Sequence, residues 1–547
     1  MGPRRAASED HRTDRRMMSA MTPPWLAVGA CFLWVAGCGA VPPRPGPGAD
    51  ASAPPVCHEG QVLYEARSPT LHGASSGLEA RPARRVVVEV ADGAGAVVGW
   101  GSTDDQGRFV VDAAPGGEVL RIRARILGEG LDIAVARDAA GRQEHTASVP
   151  LEPPGTVMRI TASEADPGGF AGALHILDTL LRGVSAVRDW TGRRLPPLFA
   201  YWGRGVTTDW SYYRGERPAS SGRYCIELLG GSPGQQATSD TDEHDEVIIL
   251  HELGHFVMDR LTTDSSPGGD HPAGYLLDPG LAWEEGRASW FATSVLGDPR
   301  YRDTIGLEPT GSLRVNHDLE RGSGGPRGMG SEQGVAEILW DLSDGGPPPS
   351  VPDQDSDGVA LGPAAVLRAM IELANVPGAY PAIPTLLRHL VNSGAVSLFD
   401  AKRMLLAGGN PETVLPAGDE LPWPLDIAAP SVVSGKIDGL SDPAPSGGPP
   451  RPQNGQDAVR VYRVRVEQRA RLSVQLRIFG SGRAADHEDL DLEMRDIRAE
   501  LLDQARTEVP VHGLSRVVEP GHYLIYVRDG GSGNRVGYEL RVWTSPG

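Results

Sequence analysis

The sequence predicts a multidomain α+β protein in which a mostly helical central unit with a small sheet is flanked by two β-sandwich domains. Three observations carry this prediction. Before about residue 152 and after about residue 421, apolar and polar residues alternate in short runs, the period of half-buried strands. Between those limits the apolar residues recur at helical spacing over longer stretches. The 70 Gly and 47 Pro in 547 residues supply the turns and linkers that separate such pieces. A hydrophobic content of 40% is enough for several cores, and a formal net charge of -19 argues against nucleic acid as a partner.

The N-terminus carries Arg4, Arg5, Arg12, Arg15 and Arg16, then an apolar run over 25–37 that ends in Val35-Ala36-Gly37-Cys38. That run is too short to span a bilayer as a helix. Small residues before a cysteine resemble the signal peptide of a bacterial lipoprotein. The resemblance implies removal of 1–38 up to a lipidated Cys38, a membrane anchor, and residence in the bacterial cell envelope at the outer membrane or cell surface. A generic cleaved signal is the other reading, and translation starting at Met17, Met18 or Met21 would shorten the basic segment. Residues 39–57, rich in Pro, Gly and Ala, read as a tether. Cys57 and Cys225 remain for the mature body, as a disulfide in an oxidising compartment or as two thiols.

Residues 58–152 read as the first β-sandwich. Arg85-Val86-Val87-Val88-Glu89-Val90 and Gly107-Arg108-Phe109-Val110-Val111 are strand-like, and over 119–126 Arg121, Arg123 and Arg125 alternate with apolar neighbours. Thr103-Asp104-Asp105-Gln106-Gly107-Arg108-Phe109 with Pro115-Gly116 resembles the carboxypeptidase regulatory-like domain, an accessory module without catalysis of its own.

The central unit, 155–415, opens with a helical pattern over 171–190. It contains His251-Glu252-Leu253-Gly254-His255, with no proline from 241 to 264. On a helix, histidines four apart project from one face and reach a single metal ion. Glu252 beside them is free to take a proton from metal-bound water and pass it to a leaving amine. A catalytic zinc site needs a third protein ligand, and Trp283-Glu284-Glu285-Gly286-Arg287-Ala288-Ser289 offers two carboxylates on a second helix over 281–296. Periodicity leaves Glu284 and Glu285 both open.

The stretch from Trp283 to Phe291 resembles the third-ligand helix of gluzincin metallopeptidases, in which the ligand is the Glu directly before Gly. That match implies a zincin-type peptidase unit with His251, His255 and Glu285 holding Zn²⁺ and Glu252 as catalytic base. Residues 220–345 are also similar to an uncharacterised family of secreted bacterial HExxH proteins, through Asp240-Thr241-Asp242-Glu243-His244-Asp245, Tyr301-Arg302-Asp303-Thr304 and Ile338-Leu339-Trp340-Asp341-Leu342. The implied activity is hydrolysis of peptide bonds in a protein or peptide substrate. A donor for the tetrahedral oxyanion is expected among His271, Tyr275, Tyr301 and His317, with His271 first because it lies in the matching segment. Asp259 reads as a partner that orients an imidazole, or as a surface charge. Residues 223–228 read as a strand at the sheet edge, where resembling enzymes take an extended substrate. Further helices are expected over 335–342, 364–374 and 382–391.

Asp353-Gln354-Asp355-Ser356-Asp357-Gly358 has the acidic alternation of a calcium loop, yet Ala364 stands where an EF-hand closes with Glu. Ca²⁺ there and a plain acidic loop are both open. Residues 421–547 read as the second sandwich. Asp489-Leu490-Asp491-Leu492-Glu493-Met494 and Pro520-Gly521-His522-Tyr523-Leu524-Ile525 resemble the bacterial prepeptidase C-terminal domain, a common companion of secreted proteases. Two other functions fit the same residues: a non-catalytic surface binding or adhesion protein on a zincin scaffold, and a zinc amidase acting on peptidoglycan. A retained Glu252 favours an enzyme, since a purely structural zinc site has no need of a base.

Overall fold

The computed structural model describes residues 54–547 apart from 71–72, 75–76, 208–209, 216–221, 236, 265, 267, 269–270, 272–274, 307–312, 323–324, 346–357, 410–423, 439–458, 480–489, 507–509 and 530–534. The expected signal peptide, Cys38, most of the tether and the acidic run 353–357 lie outside the described residues. Among those described, seven helices and six sheets form an α+β architecture.

Alternation becomes sidedness in the Gly117–Gly128 strand: Leu120, Ile122, Ala124 and Ile126 are buried, and the arginines between them face the other way. Those arginines are matched by acids. Arg123 reaches Glu89 at 2.8 Å and Glu144 at 2.6 Å. The strand sits in an eight-stranded sheet, opposite a four-stranded sheet formed by Val157–Ala162, Val56–Ala66, Glu79–Pro82 and Arg108–Ala113.

The expected division between 58–152 and 155–415 falls inside continuous structure. Val157–Ala162 pairs in parallel with Val56–Ala66, and Leu198–Tyr201 pairs in parallel with Leu131–Ala136. One hydrophobic core runs from Val62 through Leu120 and Leu253 to Leu405. The central unit thus extends the first sheet instead of building one of its own.

Helix α1 (Phe170–Thr191) is buried on nearly all sides between that sheet and the other helices, which accounts for its apolar length. Helix α2 (Glu246–Leu261) carries the paired histidines, and α3 (Pro279–Leu296) starts with Pro279 behind Asp278, whose carboxylate accepts from Gly280 N at 2.7 Å. The two helices touch closely. A Cβ at Gly254 would lie 2.9 Å from Ala288 Cα, so glycine is required at the crossing. Helix α4 (Glu332–Asp341) packs on α3 in the same way, since a Cβ at Gly286 would meet Glu332 O at 2.7 Å. Helices α5 (Pro363–Leu373) and α6 (Ile383–Asn392) match the expected helices to within two residues, and α7 (Leu398–Ala407) adds to them.

From Leu425 onward a five-stranded and a four-stranded sheet enclose a second core around Leu472, Leu492, Ile525 and Leu540. This sandwich is joined to the helical unit. Tyr380 and Ala382 are buried with Val459, Val461, Leu524 and Tyr526, and Arg528 Nη2 lies 3.2 Å from Oδ2 of the fully buried Asp278. The possible Cys57–Cys225 bridge is absent: Cys57 is exposed on Val56–Ala66, Cys225 is buried on Tyr224–Glu227 in the other sheet, and both are free thiols.

Candidate metal centre

Helical geometry places His251 and His255 on one face of α2, with ring centroids 4.7 Å apart. Helix α3 crosses at Gly254 and presents Glu285 to both rings. Glu285 Oε2 is 3.2 Å from His251 Nε2 and 3.2 Å from His255 Nε2, and the two Nε2 atoms are 3.1 Å apart. The ambiguity of α3 register resolves here. Glu284 turns away into an ion pair with the buried Arg287, Nε to Oε2 at 2.9 Å, and Arg287 also donates to Thr262 Oγ1 at 2.8 Å.

Three donors at mutual spacings of 3.1–3.2 Å suit a tetrahedral zinc ion. Ligands at Zn–N and Zn–O distances near 2.0–2.1 Å in that geometry stand about 3.3 Å apart. The set of two imidazoles and one carboxylate is also that of a catalytic zinc, leaving one position open. His251 Nδ1 is 3.2 Å from Ser289 Oγ, one turn after Glu285 on α3, which fixes the ring so that Nε2 faces the centre.

The electrostatics are those of a cation hole. Burial opposes charge on His255, but Glu285 beside it overrides this and pushes the imidazole up to about 10. Burial likewise opposes the Glu285 carboxylate, and His255 and His271 nonetheless hold it well below the usual range. Glu252, only 6% exposed, is raised mainly by burial, with the two histidines pulling the other way. A carboxyl raised in this manner suits both accepting and returning a proton.

Of the four expected oxyanion donors, two are placed at the centre. His271 Nε2 is 3.6 Å from Glu285 Oε1 and its Nδ1 3.7 Å from Glu332 Oε2 on α4. Despite the burial that lowers it, these carboxylates push His271 up to about 9. Tyr301 meets the His251 ring edge-on at 5.7 Å between centroids, and burial followed by nearby Asp303 and Glu332 drives its hydroxyl well above the usual range. His317 instead pairs with Glu337 Oε1 at 3.2 Å, and Tyr275 packs half-buried against the main core.

Two expectations are corrected. Asp259 does not orient an imidazole: Oδ2 accepts from Tyr213 OH at 2.7 Å and the carboxylate pairs with Arg260, while Ser289 takes the role at His251. The strand read over 223–228, observed as Tyr224–Glu227, is interior, because Tyr212–Tyr213 pairs along its outer side and becomes the sheet's terminal strand among the described residues. Ser289 and Glu332 join the site from outside the HExxH and Glu-Gly motifs. Ser289 was accessible to helical spacing, being four residues after Glu285; Glu332 depends on how α4 packs.

Residues 199–361 match the family described as the Mycolysin C-terminal domain, a segment that contains His251, His255 and Glu285. No curated protein matches the chain. Solved structures similar to parts of it include the pre-peptidase C-terminal domain of collagenase from Bacillus anthracis, at 14% identity over 22% of this chain and 92% of that one, with a TM-score of 0.17. PliG, a periplasmic inhibitor of g-type lysozyme from Aeromonas hydrophila, is 13% identical over 22% of this chain and 98% of its own, with a TM-score of 0.14. At such scores neither likeness bears on function.

Proposed function

We propose that this protein is a zinc-dependent peptidase. The observation that carries the reading is the convergence of His251, His255 and Glu285 at tetrahedral spacing beside a buried, non-ligating Glu252. The match of 199–361 to a domain found in metallopeptidases agrees with it. When bound, the ion acidifies a water and polarises the scissile carbonyl. Glu252 accepts the proton of the attacking water and returns it to the leaving amine. His271, beside Glu285 and Glu332, and the neutral Tyr301 supply donors for the oxyanion. An extended substrate can pair along Tyr212–Tyr213, whose Tyr213 ring lies 5.7 Å from Phe256 of α2. Anchoring in the cell envelope through a lipidated Cys38 belongs to the same proposal, and fatty-acid labelling that fails on the wild type would remove it.

The test is cleavage of an unfolded protein by wild type and Glu252→Gln, with zinc counted in both. Loss of cleavage with zinc retained is expected. A wild type that binds zinc and cleaves neither polypeptide nor peptidoglycan would overturn catalysis in favour of a surface binding protein, and cleavage of peptidoglycan alone would shift the substrate to a cell-wall amide.

A further inference from the structure

A second group of carboxylate oxygens gathers beside the strand that carries Tyr301. Asp303 follows on that strand, Arg300–Thr304, and Asp240 and Asp242 sit on the segment that leads into α2. Asp240 forms an antiparallel bridge with Ile305, which brings segment and strand together. One carboxylate oxygen from each of Asp240, Asp242 and Asp303 lies within 4.8 Å of the others.

These are not solvated surface acids. Asp242 is 2% and Asp303 7% exposed. Asp303 Oδ1 is buried with no hydrogen-bond partner among the described residues, and so is Asp240 Oδ1. The cation that faces them, Arg314, is bonded to the far oxygen of Asp240 and stays 3.9 Å from Asp303 Oδ2. A fourth carboxylate, Asp245 at the start of α2, adds negative charge but is already satisfied by Thr304, at 3.2 Å from its N and 2.9 Å from its Oγ1. Burial, then the neighbouring aspartates, raise Asp242 well above the usual range, and burial with Asp240 pushes Asp303 up to about 7 against Arg314. Ionised together, these carboxylates would carry more buried negative charge than Arg314 neutralises, and an unpaired buried carboxylate is costly.

We propose that Asp240, Asp242 and Asp303 bind a calcium ion that ties the Arg300–Thr304 strand to the N-terminus of α2. The donors are all oxygen, which selects a hard cation. Ca²⁺ accepts about six to eight oxygens in irregular geometry, which suits carboxylates held by separate segments, whereas Mg²⁺ demands a near-ideal octahedron and keeps several waters. Ser211 Oγ, bonded to Asp242, brings a further oxygen to the cluster. This site is separate from the two-histidine centre, yet it would hold the strand on which Tyr301 reaches His251.

The test uses the whole protein, stripped with a chelator and reloaded with zinc, then titrated with CaCl2 while bound calcium and the melting midpoint are followed. Wild type is expected to bind calcium and to melt roughly 3 °C higher at about 100-fold excess over Kd. Asp303→Asn and Asp242→Asn each remove a charge, so both should bind one calcium fewer and lose the rise. In calcium-free buffer they should melt at or above the wild-type midpoint, because a buried repulsion has gone. A wild type that shows no calcium-dependent rise would overturn the proposal, as would a rise and stoichiometry unchanged in both variants. Zinc content is expected to stay at one per chain throughout, which separates this result from the fate of the peptidase reading.

Discussion

Replacing Ser289 with Ala removes a single hydroxyl, 5% exposed, whose oxygen stands 3.2 Å from His251 Nδ1. Nothing else of α3 needs to move: the Ser289 carbonyl continues to accept from Thr293 Oγ1 at 3.0 Å, and Ala is the better helix former. The hole is one oxygen in size, so the loss falls on ring orientation and not on packing. Partners of metal-bound imidazoles typically contribute 10–100-fold to affinity, or about 1.4–2.8 kcal/mol. Ser289→Ala should therefore weaken zinc by that factor with little change in the melting midpoint of the metal-free protein. Competition against a chromophoric chelator measures the affinity, and circular dichroism the stability. A change in affinity below about twofold would refute the assignment of Ser289 as the group that orients His251.

Further outcomes follow from the structure. In metal-free protein the His255 proton, held up to about pH 10 by Glu285 against an ordinary 6.5, must leave when zinc enters, so apparent affinity should rise with pH by up to tenfold per unit through that window; calorimetry in buffers of different ionisation enthalpy would detect about one proton released near pH 8. The same proton stabilises the metal-free fold fully below pH 6.5 and is lost as pH rises toward 10, so a metal-free protein that grows more stable over that range would contradict it. Gly254→Ala places a methyl 2.9 Å from Ala288 Cα, a backbone atom that cannot rotate away, and should cost roughly 1–3 kcal/mol while drawing Glu285 off the histidines, seen as joint loss of melting temperature and zinc affinity. Arg528→Met leaves the fully buried Asp278 without its cation and should destabilise the chain by roughly 3 kcal/mol in denaturant titrations; a loss below about 1 kcal/mol would make the C-terminal sandwich an independent appendage.

The convergence of His251, His255 and Glu285 was legible because its parts are local. Two histidines four apart need only a helix to converge, and the choice of Glu285 over Glu284 came from the resemblance around Gly286, whose missing side chain admits α4. Residues decided by tertiary contact were less legible. Asp259 lies one turn beyond His255 and was a reasonable partner for it, but the Tyr213 hydroxyl on a two-residue strand claims its carboxylate. That strand is too short to show periodicity, which is why Tyr224–Glu227 looked like the edge. The boundary near residue 153 followed from a change of pattern along the chain, whereas the parallel pairing of Leu131–Ala136 with Leu198–Tyr201 joins segments on either side of it. Asp240, Asp242 and Asp303 are distant enough in sequence that only the fold brings them together.

X-ray absorption at the zinc edge, on wild type and Glu252→Gln, tests the central claim most directly. The account predicts one zinc per chain in both proteins, with two imidazole nitrogens and carboxylate or water oxygens near 2.0–2.2 Å and no sulfur. A zinc absent from the wild type, bound through sulfur at about 2.3 Å, or lost along with Glu252, would contradict it.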